Sequence, residues 1–363
     1  MAIAALDVAH YRIPLPTVLS DATHGDITHF ELVTVRLRAR DGAEGLGYTY
    51  TPGAGGAAIR SLIARDLAPA LVGEDEERIE QLWERMWWRL HYVGRGGAAA
   101  FAIAAVDIAL WDLRARRRNL PWWRLLGGHD PRVRAYAGGI DLQFPLDRLL
   151  RQTEENLGKG FRAIKMKVGR PSLREDVDRV RAVRQLLGPD TPLMVDANMG
   201  WTADEAIRAS RALIPHDVFW LEEPTIPDDL AGHVRIAREG ALPIAAGENF
   251  RTLYEFTRLI EAGGVSFPEP DVSNCGGVTV WLKVAHVAEA HNLPVTSHGV
   301  HDLHVHLLAA VPNASYLEVH GFGLERFLAH PLELREGLAV APDRPGHGVE
   351  LDWKALEGFR AEG

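Results

Sequence analysis

LMVDAN, residues 193–198, is an apolar run that ends in an acid, Asp196. Two later runs have the same form: FWLEEP at 219–224 carries Glu222, and PIAAGEN at 243–249 carries Glu248. Successive acids are 26 residues apart in both intervals. They therefore occupy equivalent positions at the ends of three consecutive predicted strands.

The three equivalent carboxylates predict a metal site. Acids held close together repel one another unless a cation joins them. A ligand set of hard oxygen atoms, without Cys or His, favours magnesium or a similar ion over zinc. Each acid taken alone has an ordinary alternative, a strand-end turn or a helix cap, but three acids in register favour the metal.

The composition is typical of a soluble globular protein: of 363 residues, 47% are hydrophobic and 25% are charged. This length predicts one large barrel plus a smaller domain. The net charge of −9 argues against a nucleic-acid partner, and we interpret the basic block at 114–118 as a solvated helix end. Cys275 is the only cysteine, which excludes an internal disulfide and predicts a cytoplasmic protein. No uncharged stretch reaches membrane-spanning length.

Residues 1–125 are predicted to form an α+β domain. Residues 30–50 alternate apolar and polar side chains around Asp41-Gly42, which is typical of a hairpin. Residues 56–119 carry apolar residues at helical spacing, and a part that is apolar nearly all round is predicted to be a buried helix. A short polar segment at 19–26 is predicted to be a loop, either mobile or in contact with a ligand.

Beyond a linker at about 120–130, strand-like runs alternate with helix-length segments. Eight such runs predict a parallel sheet closed into a barrel over 126–324, a fold whose chemistry lies at the carboxyl ends of its strands. The predicted strands are 133–136, 163–168, the three acid-ending runs, 265–271, 294–298 and 315–319. The predicted helices are 172–187, 202–214, 252–262 and 278–290. Residues 325–363 are predicted to pack back on the first domain.

Two lysines and an acid–histidine pair complete the predicted site. Lys165 and Lys167 are two residues apart on one strand, so they face the same side, and their apolar neighbours argue against an exposed edge strand. Near a cation and each other they should lose basicity, which suits one of them to be a general base. Asp271 and His298 end neighbouring strands, where the acid would fix the tautomer of the histidine and raise its basicity. Glu318 ends the last strand at the same mouth.

A histidine cluster, HGVHDLHVH at 298–306, offers an alternative. It suggests a zinc hydrolase, although its spacing is not that of a helical zinc pair. Magnesium without zinc in a metal analysis would exclude that hypothesis. A second alternative is a catalytically inactive barrel that serves as a binding module, which the presence of every expected ligand and base disfavours.

Together these motifs resemble the enolase superfamily, mandelate racemase subgroup, over nearly the whole chain. The motifs are Lys165-x-Lys167, Asp196-Ala-Asn198, Glu222-Glu-Pro, Gly-Glu248-Asn, the Asp271/His298 pair and Glu318. The resemblance implies an α/β fold, a modified (β/α)7β TIM-type barrel with an α+β capping domain. It also implies Mg2+ held by Asp196, Glu222 and Glu248, and it implies as catalytic residues Lys165, Lys167, Asp271, His298 and Glu318. Glu318 would act as a protonated donor to the substrate.

Four segments, at 19–26, 91–97, 138–145 and 271–277, are similar to 3,6-anhydro-L-galactonate cycloisomerases, and DLHVH at 302–306 resembles galactarate/talarate dehydratases. The resemblance implies an acid-sugar substrate, contacted by His24 and Asn198, and we expect a homo-oligomer. Removal of the proton next to the substrate carboxylate would give an enolate. Expulsion of a ring ether then gives cycloisomerisation, expulsion of water gives dehydration, and return of the proton to the other face gives racemisation or epimerisation. The residues leave these outcomes open.

Overall fold

A three-stranded antiparallel sheet covered by helices forms the first part of the fold, in a computed structural model that describes residues 1–361. Its strands are Ile3–Asp21 (β1), Gly25–Ala39 (β2) and Glu44–Thr51 (β3). Its helices are Gly56–Ser61 (α1), Ala68–Leu71 (α2), Ile79–Gly94 (α3) and Ala98–Arg117 (α4), with a π-helical turn at Leu62–Leu67. The predicted hairpin and buried helix are β2–β3 and α4.

The prediction of a loop at 19–26 is wrong for most of its length. The end of β1 pairs with the start of β2, in a register that puts Asp21 opposite Gly25, so only residues 22–24 form the turn. The carboxylate of Asp21 closes this turn, because its Oδ1 accepts the backbone N–H groups of Thr23 and His24 at 2.9 and 2.7 Å. The polar, glycine-containing segment that suggested a loop instead contains a tight turn between two long strands.

Close packing of α4 on β3 explains why residues 45 and 47 are glycine. A Cβ atom at Gly45 would lie 2.1 Å from the carbonyl oxygen of Ala109, and one at Gly47 would lie 2.0 Å from that of Ala105. The strand and the helix backbone therefore touch where neither element has a large side chain. This contact holds the sheet, whose last residues reach the barrel, firmly against the domain core.

Parallel strands and seven surrounding helices form the second part. The strands are Arg132–Gly138 (β4), Ile164–Lys167 (β5), Leu193–Asp196 (β6), Val218–Glu222 (β7), Ile244–Ala246 (β8), Phe267–Pro268 (β9) and Tyr316–Val319 (β10). After a linker helix, Trp122–Leu125 (α5), the barrel helices are Leu146–Gly158 (α6), Leu173–Leu187 (α7), Ala203–Leu213 (α8), Leu230–Glu239 (α9), Leu253–Glu261 (α10), Val278–Ala290 (α11) and His301–Leu308 (α12). A 3-10 turn at Ile214–His216 follows α8. The alternation confirms the predicted fold class.

The segment at 294–298, which closes the barrel, forms almost no regular strand. Hydrogen-bonded neighbours run from β10 through β4 to β9, and the predicted strand at 294–298 contributes only one bridge residue, Val295. The N–H of Thr296 donates to the oxygen of Pro268 at 2.9 Å, and the N–H of Ser315 donates to the oxygen of Val295 at 2.8 Å. These bonds complete the ring. The predicted strands at 265–271 and 294–298 are thus much shorter than expected, because prolines within them cannot donate to a ladder.

Alternation along the strands divides the barrel interior into layers. Met194, Trp220 and Tyr316 belong to a buried apolar cluster inside the barrel, and the residue two positions after each is an acid. Since residues two apart on a strand face the same side, the acids lie one layer above this floor. The period of two therefore places the carboxylates inside the barrel at the carboxyl ends of the strands.

The C-terminal segment crosses back to the first sheet. It contains a 3-10 turn at Leu324–Phe327, a hairpin of Leu334–Arg335 (β11) and Leu338–Val340 (β12), and a short helix, Trp353–Glu357 (α13). The N–H of Arg12 donates to the oxygen of Phe359 at 2.8 Å, and His347 donates its N–H to Asp112 of α4 at 3.0 Å. The domain boundary near residue 125 stays a prediction. None of the helices within residues 1–361 has the length and apolar character needed to cross a membrane.

Candidate active site

The three predicted ligands converge at the mouth of the barrel. Asp196 and Glu222 end β6 and β7 in direct register, and Glu248 lies two residues beyond β8. One carboxylate oxygen from each lies within 4.8 Å of the others, and all three residues are buried. Such crowding of negative charge in a buried place is unfavourable unless positive charge accompanies it. The cluster is therefore a site for cations.

Both predicted lysines point into this cluster. The ammonium of Lys165 contacts Glu222 and lies 2.7 Å from Oε1 of Glu318, and the ammonium of Lys167 contacts Asp196. Burial disfavours a charged lysine, but the carboxylates of Asp196, Glu248 and Glu222 together outweigh burial and raise the pKa of Lys167. In this arrangement the facing carboxylates stabilise both ammonium groups. The expected loss of basicity concerns the lysines beside a bound cation, and it stays a prediction.

Asp271 and His298 form the predicted pair, although they end very short strands. Nδ1 of His298 lies 3.0 Å from Oδ2 of Asp271, and Nε2 lies 3.1 Å from Oε2 of Glu248. Burial disfavours the imidazolium, but the carboxylates of Glu248 and Asp271 outweigh burial and raise the pKa of His298 to about 9. Lys167 and the Asp271–His298 pair therefore flank the cluster. Lys167 lies at Asp196, and His298 lies at Glu248.

Glu318 lies in the same layer, and its role as a protonated donor to the substrate stays a prediction. Its Oε1 faces Lys165, and its Oε2 accepts the N–H of Gly299 at 2.9 Å and lies 3.3 Å from His320. Burial favours the neutral acid, but neighbouring groups, above all the Lys165 ammonium, hold the pKa of Glu318 well below its usual range. Glu318 therefore contacts the Lys165 ammonium and positions it.

A cavity of about 140 Å3 opens above these groups, between the barrel and the first domain. Both predicted substrate-binding residues line it: Asn198 directly after Asp196, and His24 at the tip of the β1–β2 hairpin. Nδ1 of His24 lies 2.9 Å from Oδ2 of Asp21, which raises the pKa of His24. The buried Oδ1 of Asn198 has no hydrogen-bond partner within the protein. Both side chains are thus placed to contact a polar ligand.

Several residues of this cavity were not predicted. His320 is two positions after Glu318 on one strand, so the period of two offered a signal for it. Tyr50 is the last residue but one of β3, and its hydroxyl lies 3.4 Å from both Asp271 and Nδ1 of His298. No sequence pattern pointed to Tyr50, because it comes from the other domain. The other unpredicted lining residues include Ile27, Phe101, Ile140, Asn249, Arg251, Asn274 and Phe322, whereas Asp21 belongs to the segment at 19–26 for which contact with a ligand was left open.

The histidine cluster that suggested zinc has structural contacts instead. Nδ1 of His304 lies 2.8 Å from the oxygen of Gly299, and its Nε2 accepts the N–H of Val272 at 2.9 Å. Nε2 of His306 lies 3.1 Å from the oxygen of His347. Backbone groups thus occupy these ring nitrogens, and the zinc alternative loses two of its proposed ligands.

Comparison with known proteins decides the family. Residues 3–127 match the N-terminal domain of the mandelate racemase / muconate lactonizing enzyme family, and residues 148–355 match the enolase C-terminal domain-like family. The chain belongs to the enolase superfamily. The predicted resemblance is confirmed, and with it the capping domain over a barrel.

Individual members of the superfamily are similar along the whole chain. The chain is 60% identical to a 3,6-anhydro-alpha-L-galactonate cycloisomerase of Streptomyces coelicolor, covering 95% of this chain and 96% of the relative. It is 37% identical to an L-talarate/galactarate dehydratase of Salmonella typhimurium, covering 94% and 87%. The crystal structure of a racemase from Streptomyces coelicolor A3(2) with bound magnesium superposes with a TM-score of 0.97, at 57% identity over 99% and 100% of the two chains. The protein is thus an enolase-superfamily enzyme.

Proposed function

We propose that this enzyme removes the proton next to the carboxylate of an acid sugar and then expels a β-oxygen. The observation that carries the proposal is the buried group of Asp196, Glu222 and Glu248, flanked by Lys167 and His298. This arrangement offers two proton-transfer groups on either side of a place for concentrated negative charge. The likeness to the Streptomyces cycloisomerase supports a 3,6-anhydro-L-galactonate-like substrate, in which the β-oxygen is the ring ether.

We propose that Mg2+ is the cofactor and that Asp196, Glu222 and Glu248 hold it. The donor set fits: three buried carboxylates offer oxygen atoms close enough to share one ion, and oxygen is the ligand that magnesium prefers. When bound, the ion supplies Lewis-acid stabilisation of the charge that develops on the substrate carboxylate. Once Asp196 shares its charge with a cation, the ammonium of Lys167 loses much of its stabilisation, and its pKa should fall toward the range of a general base.

The protein groups divide the proton transfers between them. Nζ of Lys167 takes the α-proton, and the electron pair of the broken C–H bond moves toward the carboxylate. The Lys165 ammonium, held by Glu222 and Glu318, stabilises the developing negative charge. The imidazolium of His298, oriented by Asp271 at Nδ1, donates its Nε2 proton to the β-oxygen as the C–O bond breaks.

A linear acid sugar would lose water in the same sequence of steps. Similarity to the talarate/galactarate dehydratase supports this second candidate. The decisive experiment incubates the magnesium-loaded enzyme with 3,6-anhydro-L-galactonate, galactarate or L-talarate and measures the product. Formation of a ring-opened isomer with unchanged mass identifies the cycloisomerase, whereas a 2-keto-3-deoxy product lighter by one water identifies the dehydratase. Absence of turnover and of α-proton exchange with every acid sugar would reject the proposal.

We predict that His24→Ala weakens substrate binding. His24 lines the cavity from the capping domain, and loss of one hydrogen bond to a substrate hydroxyl should raise KM about three- to tenfold. His129→Ala, which removes an exposed histidine of the linker, is the matched control. Steady-state kinetics on the accepted acid sugar make the comparison, and identical constants for the His24 variant and the control would remove His24 from the binding site.

We also propose that the enzyme works in the cytoplasm as a homo-oligomer. The single, buried cysteine supports a reducing compartment, because it leaves no partner for an internal disulfide. Sedimentation velocity on the purified protein measures the oligomeric state directly. A single species at the mass of one chain, 40.1 kDa, would contradict the homo-oligomer.

A further inference from the structure

The segment that carries Asp271 has little support from the sheet. It follows β9, which is only two residues long, and prolines at 268 and 270 cannot donate backbone hydrogen bonds. Yet Asp271 is fully buried and must hold His298 at 3.0 Å. We define residues 271–279, from Asp271 to the first turn of α11, as the dyad loop. Its geometry needs constraints from outside the barrel ladder.

The capping domain supplies such constraints at three points. The hydroxyl of Thr49 at the end of β3 donates to the oxygen of Ser273 at 2.7 Å. Nε1 of Trp83 in α3 donates to the oxygen of Gly276, also at 2.7 Å. The carbonyl oxygens of Ser273 and Gly276 thus accept from two different elements of the capping domain, β3 and α3. The dyad loop is therefore held at more than one point.

The third point lies at the start of α11. The carboxylate of Asp107 in α4 accepts the N–H and the hydroxyl of Thr279 at 2.9 and 2.7 Å, and Nε1 of Trp111 lies 3.0 Å from the same hydroxyl oxygen. A Cβ atom at Gly277, which has a φ of +92°, would lie 2.4 Å from the Asp107 carboxylate. The loop and α4 therefore approach so closely that only glycine fits between them.

The contact at Thr49 is linked to Asp271 through one residue, Ser273. Ser273, whose oxygen Thr49 holds, donates both its N–H and its hydroxyl to Oδ1 of Asp271, each at 2.7 Å. The other oxygen, Oδ2, faces His298 and the hydroxyl of Tyr50. Oδ1 is thus fixed through Ser273, and this leaves Oδ2 aimed at the histidine. Consecutive residues of β3 serve the two oxygens of one carboxylate.

We propose that the capping domain positions the Asp271–His298 pair through these contacts, with Thr49 as the positioning residue closest to it. The consequence for catalysis rests on the proposed function, because it assumes that His298 donates the proton to the leaving oxygen. The position of His298 then depends on the packing of the capping domain against the dyad loop. A disturbance of the contacts slows the step that needs His298 while it leaves the step that needs Lys167 unchanged.

The test compares Thr49→Val, which keeps the shape and removes the hydroxyl, with Thr49→Ser, which keeps the hydroxyl. Thr153→Val is the matched control, since Thr153 is equally buried and donates to a backbone oxygen in α6. Hydrogen–deuterium exchange followed by mass spectrometry reports on the amides of the dyad loop without any substrate. We expect about three- to tenfold faster exchange in Thr49→Val, and wild-type exchange in Thr49→Ser and in the control.

Kinetics then test the coupling. In deuterated water, Thr49→Val should form product about three- to tenfold more slowly at unchanged KM, whereas α-proton exchange stays at the wild-type rate. Loop exchange in Thr49→Val equal to that of the control would overturn the proposal, as would equal slowing of product formation and α-proton exchange. If no acid sugar reacts, the proposed function fails, but loop exchange still decides whether the contact holds the loop. If Thr49→Val does not fold, Trp83→Phe removes a different contact and is held to the same outcomes.

Discussion

Replacing Lys167 with alanine is expected to lower kcat by about 10²–10⁴-fold, which is the usual contribution of a general base. The Lys167 ammonium contacts Asp196 at one end of the carboxylate cluster, so its loss removes the group placed to take the α-proton. We expect α-proton exchange in deuterated water to vanish with turnover. Proton NMR of the recovered substrate measures that exchange.

The corresponding change on the other side of the cluster should give a different pattern. His298→Asn is expected to lower kcat by a similar factor, because the imidazole that Asp271 orients is lost. It should retain α-proton exchange, since Lys167 is intact. Circular dichroism and magnesium content serve as controls for folding and for the metal site. Near-native turnover of both variants on a verified substrate would refute the mechanism.

Glu222→Gln is expected to remove magnesium and activity together. The change takes one negative charge from the centre of the cluster, and it places an amide N–H2 group near either the Lys165 ammonium or the indole N–H of Trp220, which donates to Oε2 of Glu222 at 3.0 Å. Changes to groups that only orient metal ligands already cost about 10–100-fold in affinity, so losing a ligand should cost at least about 100-fold. Titration calorimetry with magnesium measures the affinity.

Glu223→Gln is the matched control for that experiment. It makes the same substitution one residue later, at a buried carboxyl group that accepts from Asn249 and does not belong to the cluster. We expect this variant to keep one magnesium ion per chain. Full magnesium stoichiometry in Glu222→Gln would contradict the assignment of the ligands, whereas loss of magnesium in both variants would indicate a general effect of charge in this region.

The protonation of the site is a property of three-dimensional neighbours. Lys165 and Lys167 were expected to lose basicity because each was considered next to a cation and the other lysine. In the fold each ammonium also faces a carboxylate, which raises the pKa of Lys167, and the Lys165 ammonium in turn lowers the pKa of Glu318. The sign of each shift depends on which charge lies within a few ångströms, and sequence spacing does not specify that distance.

Local periodicity was enough to predict the carboxylate cluster and the two lysines beside it. Asp196 and Glu222 each follow an apolar strand, and the carboxyl ends of adjacent parallel strands must meet at one mouth. The interval of two between Lys165 and Lys167 places both inside the barrel, since side chains alternate along a strand. These relations hold for any chain that forms the barrel, so the sequence was sufficient for the fold class and the carboxylate cluster.

Contacts between the two domains required the folded structure. Tyr50 and Thr49 end a strand of the first domain, more than 200 residues before the Asp271 segment that they contact, and no periodic pattern links them to it. The shortness of the strand before Asp271, by contrast, follows from its own prolines, which cannot donate to a ladder. Periodicity acts within an element and between neighbouring strands, whereas the docking of one domain on another depends on the complementarity of whole surfaces. The alignment of the Asp271–His298 pair and the shape of the cavity therefore emerge only when the two domains pack together.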